Sequence, residues 1–182
     1  MPETGNQPPN LQSDSDEFVI ARVFDAPRDL VWKVWTEAEH LAQWWGPKGC
    51  TIRVASLDVR PGGVFHYAMA YQPGQEMWAR FVYREIEPPE RMVYVSSFSD
   101  AEGGVTRAPF PQLKGTFPLA ILNTVTLNEE GGKTTVTVRG RPLNATADER
   151  ATYRGMFSSM QQGFTGTFES LDAYLAKLQG DL

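Results

Sequence analysis

The sequence is poor in the residues that build disulfides and metal sites. Cys50 is the only cysteine, and His40 and His66 are the only histidines among 182 residues. A single thiol excludes an intramolecular disulfide, and neither histidine stands at ligand spacing from the other or from Cys50. No glycine-rich nucleotide motif is present either. We therefore predict no metal and no cofactor, and we interpret Cys50 as a small unreactive side chain.

The chain also lacks a dense basic cluster and a long apolar run. It has 17 basic and 22 acidic residues, for a formal net charge of −5. This balance argues against binding to nucleic acid and against attraction to an anionic membrane. No apolar run approaches the roughly 18 residues of a membrane-spanning helix, and the first residues do not resemble a signal peptide. The sequence therefore predicts a cytoplasmic protein without membrane insertion.

The most informative stretch is an amphipathic pattern at residues 146–178. Thr146 followed by Glu149 has the spacing of a capping box, which predicts where a helix begins. A helix of this length runs about 50 Å and must pack across a sheet to bury one face. Its apolar side chains recur in steps of three and four, the spacing of one helix face. They are Tyr153, Phe157, Met160, Phe164, Phe168, Leu171, Leu175 and Leu178.

Three glycines interrupt this predicted helix. Gly155, Gly163 and Gly166 each cost up to about 1 kcal/mol relative to alanine in a helix interior. Two interpretations stay open: the glycines allow close backbone packing or a kink, or the N-terminal half of the helix faces a space instead of a packed core. Met156 and Met160 favour a space, because the flexible methionine side chain adapts to irregular shapes.

The remaining chain divides into a tail and one domain. Residues 1–16 are polar and rich in proline, which predicts a disordered tail, and residues 17–180 predict a single domain. Residues 100–118 hold several glycines and prolines and predict either a lid or a disordered loop.

Within the domain, the sequence predicts one strand, two short helices, six further strands and the long helix, in that order. Phe18–Phe24 is β-branched and aromatic, which is typical of a strand. Two short helices follow, the first opened by Pro27 and the second by a capping box of Thr36 and Glu39. Apolar residues in alternation then predict strands at 51–57, 64–71, 77–86, 91–98, 120–127 and 134–141. This order predicts an α+β fold in which the long helix lies across one face of an antiparallel sheet.

The chain contains five short sequence motifs, at 24–32, 44–47, 60–65, 83–91 and 156–164, that resemble those of a known family. In this order they resemble the SRPBCC, or START-like, superfamily with its helix-grip fold. Within it the chain is similar to the single-domain bacterial type of the activator of heat-shock protein 90 ATPase homologue-like family. The resemblance implies a seven-stranded antiparallel sheet wrapped around a long C-terminal helix, two short helices after the first strand, and a cavity between sheet and helix.

The resemblance also sets the range of functions. Superfamily members range from lipid carriers to polyketide cyclases, so it implies that a small hydrophobic molecule binds in the cavity. The eukaryotic activator pairs such a domain with a separate N-terminal domain, whereas here only a 16-residue tail precedes the predicted fold. Chaperone activation is therefore not expected, although a chaperone partner and a homodimer are left open.

The predicted site is the cavity itself. An apolar, aromatic concavity with few polar groups is typical of a small-molecule site. The alternative is that the same side chains simply fill the core. The residues predicted to line the cavity and bind the ligand are Trp44, Trp45, Phe65, Tyr67, Met69, Trp78, Met156, Met160 and Phe164.

Two functions of other classes compete with ligand binding. One is an enzyme of cyclase or hydrolase type that uses His66, Tyr67 or Glu85 on a bound aromatic or polyketide-like substrate. Arg80 and Glu85 equally fit a solvated sheet face with cross-strand charge pairs. The other is an interaction module that contacts a chaperone through its outer surface.

Overall fold

One antiparallel sheet organises the domain. The computed structural model describes residues 16–113 and 115–180, and its seven strands lie in the order β1-β7-β6-β5-β4-β3-β2. Because β1 pairs with β7, the first and last strands are neighbours and the edges are β1 and β2. The predicted seven-stranded sheet is confirmed. The strands are β1 Phe18–Phe24, β2 Thr51–Leu57, β3 Val64–Ala70, β4 Glu76–Glu87, β5 Arg91–Ser99, β6 Ile121–Glu130 and β7 Lys133–Pro142.

Two short helices connect β1 to β2, as predicted. They are α1, Arg28–Thr36, and α2, Ala38–Trp44. The predicted capping box of α2 is wrong: Glu37 is the N-cap, without a side-chain cap bond. Thr36 still belongs to the last turn of α1, and its hydroxyl donates to the Trp32 carbonyl oxygen at 2.8 Å. A threonine inside a helix commonly makes this bond to the carbonyl four residues earlier.

The C-terminal helix is interrupted once. It consists of α3, Ala147–Gly155, and α4, Phe157–Leu178, with Met156 between them at φ −94° and ψ −1°. The predicted capping box is confirmed, since Thr146 Oγ accepts from the Glu149 N–H at 3.1 Å and Glu149 Oε1 accepts from the Thr146 N–H at 3.0 Å. Gly155 is the last residue of α3 and lies directly before the break.

The packed core lies between the inner face of the sheet and the C-terminal half of α4. Phe168, Leu171 and Leu175 are each at most 1% exposed. The rings of Phe24 and Phe168 meet edge to face at 5.5 Å. The helices α1 and α2 close one side of this core with Val31, Val34, Trp35, Leu41 and Trp44.

The structure describes only the last residue of the predicted N-terminal tail, residues 1–16, but most of segment 100–118. Residues 1–15 of the predicted tail lie outside the described residues, whereas Asp16 forms ion pairs with Arg150 and Arg154. The described part of segment 100–118 packs against α3. Arg107 pairs with Glu149 at 2.6 Å, and the hydroxyls of Thr116 and Thr152 lie 2.8 Å apart.

Candidate functional site

A cavity of about 200 Å³ lies between the sheet and the N-terminal half of α4. The inner face of β3 to β7 forms its floor, and β1, α3, α4 and the segment before β6 form its walls. The lining residues are Phe18, Trp45, Tyr67, Met69, Ala79, Phe81, Tyr94, Ser96, Ser97, Phe98, Phe117, Pro118, Ile121, Asn123, Val138, Tyr153, Met160 and Phe164.

The strand register explains how the floor is built. Tyr94 on β5 lies opposite Asn123 on β6, which lies opposite Gly140 on β7, which lies opposite Phe18 on β1. Directly paired residues point to the same side of a sheet, so this line crosses four strands on the inner face. Side chains two residues along each strand extend the same face, which places Ser96 beside Tyr94.

Gly140 allows the floor to meet α3 closely. The Tyr153 hydroxyl donates to the Gly140 carbonyl oxygen at 2.9 Å. A Cβ at position 140 would stand 2.9 Å from Tyr153 Oη and 3.0 Å from Asn123 Oδ1, closer than side chains tolerate. The absence of a side chain here therefore lets α3 anchor on the sheet at one end of the cavity.

The helix above the floor does not fill the space beneath it. Met160 and Phe164 of α4 are half-buried and line the cavity, whereas Phe168, one turn further, is 1% exposed in the packed core. A Cβ added at Gly163 would meet nothing within 4 Å. Close packing therefore does not explain Gly163, but it holds at Gly166, where an added Cβ would lie 3.2 Å from the Lys48 Cβ, and the helix breaks directly after Gly155. The residues of α4 that face the cavity are Met160 and Phe164.

A cluster of aromatic side chains forms the wall of the cavity at the end of β5. The ring of Phe98 lies 5.8 Å from Phe110 and 6.1 Å from Phe117, and Phe117 lies 6.0 Å from Tyr153. The segment after β5 thus supplies part of the wall, and its ion pair from Arg107 to Glu149 ties it to the first turn of α3.

The polar groups of the cavity are neutral. Burial raises the pKa of Tyr67 to about 12, an effect that a hydrogen bond from Trp45 partly offsets and the Cys50 thiolate charge increases. Burial likewise raises the pKa of Tyr94 and of Tyr153 well above the usual value near 10. The Asn123 amide is neutral and donates to Ser96 Oγ at 2.8 Å and to the Ile121 carbonyl oxygen at 3.0 Å. Among the described residues, no charged side chain lines the cavity.

Five of the nine predicted site residues line this cavity. Trp45, Tyr67, Met69, Met160 and Phe164 come together around it from the C-cap of α2, from β3 and from α4. The Trp45 ring lies 6.4 Å from Tyr67 and 6.5 Å from Phe164, both edge to face. Their part in binding a ligand stays a prediction.

The other four predicted residues lie elsewhere. Trp44 belongs to the packed core, where its indole N–H donates to the Val34 carbonyl oxygen at 2.9 Å. Phe65 is fully buried behind Tyr67, with the two rings stacked at 4.5 Å. Met156 occupies the break between α3 and α4 and does not contribute to the lining. Trp78 points to the outer face of the sheet because neighbouring residues of a strand alternate in direction, and Ala79 takes the inward position.

The two candidate catalytic residues are also outside the cavity. His66 stacks on Trp78 at 4.7 Å on the outer face, and its Nε2 lies 3.1 Å from the Asp100 carbonyl oxygen. Glu85 is exposed and pairs with Arg91 at 2.8 Å. The structure therefore corrects the idea that these groups meet a substrate in the cavity. Strand alternation turns His66 away from the cavity, and the register shift between Tyr83 and Glu85 turns Glu85 to the outer face although it has the parity of Ala79 and Phe81.

Several lining residues were not predicted. Asn123 could have been predicted from the sequence. It is a polar residue in the strand Ile121-Leu-Asn-Thr-Val125, at a position that faces the core by strand alternation. Tyr153 stood on the helical stripe but was not assigned to the site. Phe98 and Ile121 share the strand parity of Ser96 and Asn123, so alternation also places them on the inner face. Phe117 carries no such signal, since only the path of the chain after β5 brings it to the cavity.

One group of potential metal ligands exists within residues 16–113 and 115–180. The ligand atoms of Glu37, Glu39 and His40 lie within 4.8 Å of one another. Nδ1 of His40 is already 2.6 Å from the Tyr174 hydroxyl. Exposed acidic groups of this kind are common without an ion, so the cluster does not indicate a metal centre.

Of the helices in the described part of the chain, none combines the length and the apolar character needed to cross a bilayer.

A sheet that holds one long helix against its inner face, with a hollow under half of that helix, defines the helix-grip class of α+β proteins. The family model described as "Activator of Hsp90 ATPase homolog 1-like protein" matches residues 25–176. The chain belongs to this family. A comparison with curated proteins gives no match.

Solved bacterial structures share the fold. Protein Ms6760 from Mycobacterium smegmatis is 22% identical with a TM-score of 0.71, over 88% of this chain and 90% of that one. A protein from Arthrobacter aurescens is 23% identical with a TM-score of 0.73, over 90% and 88%. The AHSA1 protein from Silicibacter pomeroyi is 18% identical with a TM-score of 0.66, over 88% and 97%.

Proposed function

We propose that this protein binds a small, neutral, largely apolar molecule in the cavity between the sheet and the N-terminal half of α4. The observation that carries the proposal is a hollow of about 200 Å³ whose walls are almost entirely aromatic and aliphatic side chains. An apolar cavity of about 150 Å³ in a protein core stays dry and binds benzene. A ligand of one ring, or of two small fused rings, therefore fits the available volume.

The charge of the site supports a neutral ligand. No cationic or anionic side chain among the described residues lines the cavity, and its tyrosines stay protonated at physiological pH. A carboxylate or an ammonium group would lose its hydration there without gaining a counter-charge, which is costly. A neutral aromatic molecule loses little on leaving water and gains contacts with Phe81, Phe98 and Phe164.

An enzymatic function has less support from the same geometry. Among the described residues, the cavity contains tyrosine, serine and asparagine but no histidine or carboxylate that could act as a base. Burial raises the pKa of Tyr67 to about 12, away from the range in which a general base works. His66 and Glu85 cannot reach the cavity from the outer face. The chaperone partner that the family name suggests stays an alternative without a contact surface to argue from.

The test is a titration with toluene and with indole, followed by calorimetry. Wild-type protein should bind at least one of them saturably at one site. Ala79 is 7% exposed on the cavity floor between Tyr67 and Phe98, so Ala79→Leu should fill the hollow and weaken binding at least about tenfold. The matched control is Ala21→Leu, because Ala21 is exposed on the outer face of β1.

Folding of both variants is checked by circular dichroism and thermal unfolding. Binding that survives in Ala21→Leu and is lost in Ala79→Leu supports the proposal. Equal affinity in the two variants would show that the ligand binds elsewhere, and no saturable binding of either compound to wild type would overturn the proposal.

A further inference from the structure

The floor of the cavity carries three polar side chains side by side, which we call the polar row: Tyr94, Ser96 and Asn123. Tyr94 and Asn123 are direct partners on β5 and β6, and Ser96 Oγ lies 2.8 Å from Asn123 Nδ2. All three residues line the cavity. If the pocket bound only hydrocarbons, valine or leucine at these positions would stabilise the protein more, because unpaired polar groups are costly to bury.

The hydrogen bonds fix the direction of the Asn123 amide. A carbonyl oxygen can only accept, so the atom 3.0 Å from the Ile121 oxygen is the nitrogen Nδ2. The same nitrogen donates to Ser96 Oγ, which leaves the Ser96 hydroxyl hydrogen free to donate and Asn123 Oδ1 free to accept. Within residues 16–113 and 115–180, no further partner engages these two atoms or Tyr94 Oη.

Two of these atoms, Tyr94 Oη and Asn123 Oδ1, are not sealed in the core. Among the described residues, the fully buried side-chain atoms without a partner are Arg28 Nε, Trp35 Nε1, Arg80 Nε and Ser99 Oγ. None of them belongs to the polar row. Within the same described residues, Tyr94 Oη and Asn123 Oδ1 lack a partner and are therefore partly accessible, and Ser96, whose Oγ already accepts from Asn123, lines the same cavity. Tyr153 differs, because its hydroxyl is committed to the Gly140 carbonyl oxygen at 2.9 Å.

We propose that the ligand carries, beside its apolar body, one neutral group that donates and accepts hydrogen bonds, such as a phenolic or alcoholic hydroxyl, and that this group contacts the polar row. The inference rests on the proposed function and specifies its ligand class. A hydroxyl can accept from Ser96 or Tyr94 while donating to Asn123 Oδ1. A carboxylate would match the donors but would bring an uncompensated charge into the cavity.

The test compares two ligands that differ by one hydroxyl, toluene and p-cresol. In an entirely apolar cavity p-cresol loses its hydration without replacement, so toluene should bind more tightly. With the polar row engaged, wild-type protein should bind p-cresol at least as tightly as toluene. Each hydrogen bond lost from the complex should reduce p-cresol affinity about fivefold. p-Toluate should bind more weakly than both.

Two variants assign the effect to the row. Tyr94→Phe and Ser96→Ala each remove one hydroxyl and should lower the ratio of p-cresol to toluene affinity about fivefold. Tyr83→Phe is the control, because Tyr83 is equally buried, at 2% exposed, yet outside the cavity lining. Taking the ratio within each variant cancels a general change in stability.

The outcomes separate the two proposals. If neither toluene nor p-cresol binds, the proposed function fails. If toluene binds more than about tenfold tighter than p-cresol to wild type, the cavity binds ligands but the polar row does not select them, and the inference alone is overturned. A ratio that stays the same in Tyr94→Phe and Ser96→Ala would also overturn it.

Discussion

The two halves of α4 have different surroundings although they continue one amphipathic stripe. Phe168, Leu171 and Leu175 in the C-terminal half are sealed in the core, whereas Met160 and Phe164 in the N-terminal half are half-buried over a hollow. The spacing of apolar residues is the same in both. The difference shows that a helical stripe predicts which face turns inward, but what lies opposite determines whether that face is packed or lines a cavity.

The largest expected contrast between the halves is in stability. Leu171 is fully buried, so Leu171→Ala should lower the free energy of unfolding by about 3 kcal/mol through lost contacts and a new void. Met160→Ala should cost only about 1 kcal/mol, because Met160 already borders open space. Urea unfolding of the two variants measures both values. Equal losses would mean that the N-terminal half is as tightly packed as the C-terminal half.

Alkaline pH should reveal the buried hydroxyls under the N-terminal half. The folded state raises the pKa of Tyr67 to about 12, above the unfolded value near 10, so it favours the neutral form. This contribution is complete below pH 10 and is lost as the pH rises from 10 through 12, by about 1.4 kcal/mol per unit.

Tyr67→Phe should therefore make the fall in stability above pH 10 less steep. The measurement is the free energy of unfolding by urea at several pH values between 8 and 11. Tyr83, Tyr94 and Tyr153 also have raised pKa values, so a residual fall is expected in the variant. Parallel curves for wild type and Tyr67→Phe would show that Tyr67 is not buried in the folded protein.

A smaller difference in stability is expected between alanine substitutions at Gly163 and at Gly166. A Cβ at position 163 would meet nothing within 4 Å, so Gly163→Ala should raise the free energy of unfolding by about 1 kcal/mol through helix propensity. Gly166→Ala should raise the free energy of unfolding by less, because its Cβ would lie 3.2 Å from the Lys48 Cβ. Thermal unfolding compares the two. A destabilised Gly163→Ala would show that a neighbour occupies the space beside the N-terminal half.

The smallest expected effect concerns the wall of the cavity. The pKa of Glu149 is lowered first by the hydrogen bond from the Thr146 backbone and then by Arg107. Arg107→Gln should raise this pKa but leave it below the usual value, because the backbone bond remains. The cost in stability should be below about 1 kcal/mol, since Arg107 is 49% exposed. Carboxyl NMR titration gives the pKa; no change would mean that Arg107 does not pair with Glu149 in solution.

The strands were predictable from the sequence because two signals coincide there. Alternation marks each strand, and turn residues such as Pro61-Gly62-Gly63 and Gly131-Gly132 mark where it stops. A kink was one interpretation of the helical glycines, and the break after Gly155 agrees with it, but its position was not predictable because the apolar spacing continues through Met156 without change. A kink of this kind depends on where α3 anchors on the sheet.

The residues that line the cavity were harder to predict from the sequence than the fold was. Strand β4 carries Trp78 and Phe81 on opposite faces, and both are large aromatic residues, so composition does not reveal which of them points inward. His66 is buried at 8% exposure, although it lies on the outer face, because Trp78 stacks on it and the turn after β5 covers it. Trp44 and Trp45 are neighbours in sequence, yet only Trp45 reaches the cavity. These distinctions arise from contacts between segments far apart in the chain.

Methyl NMR of methionine-labelled protein titrated with toluene tests most directly whether the space under the N-terminal half of α4 accepts a guest. Met69 and Met160 line the cavity, Met92 is 1% exposed in the packed core, and Met156 lies outside the lining. We expect the Met69 and Met160 methyl signals to shift together and saturate, while those of Met92 and Met156 stay in place. Unchanged Met69 and Met160 signals at toluene saturation would contradict the account.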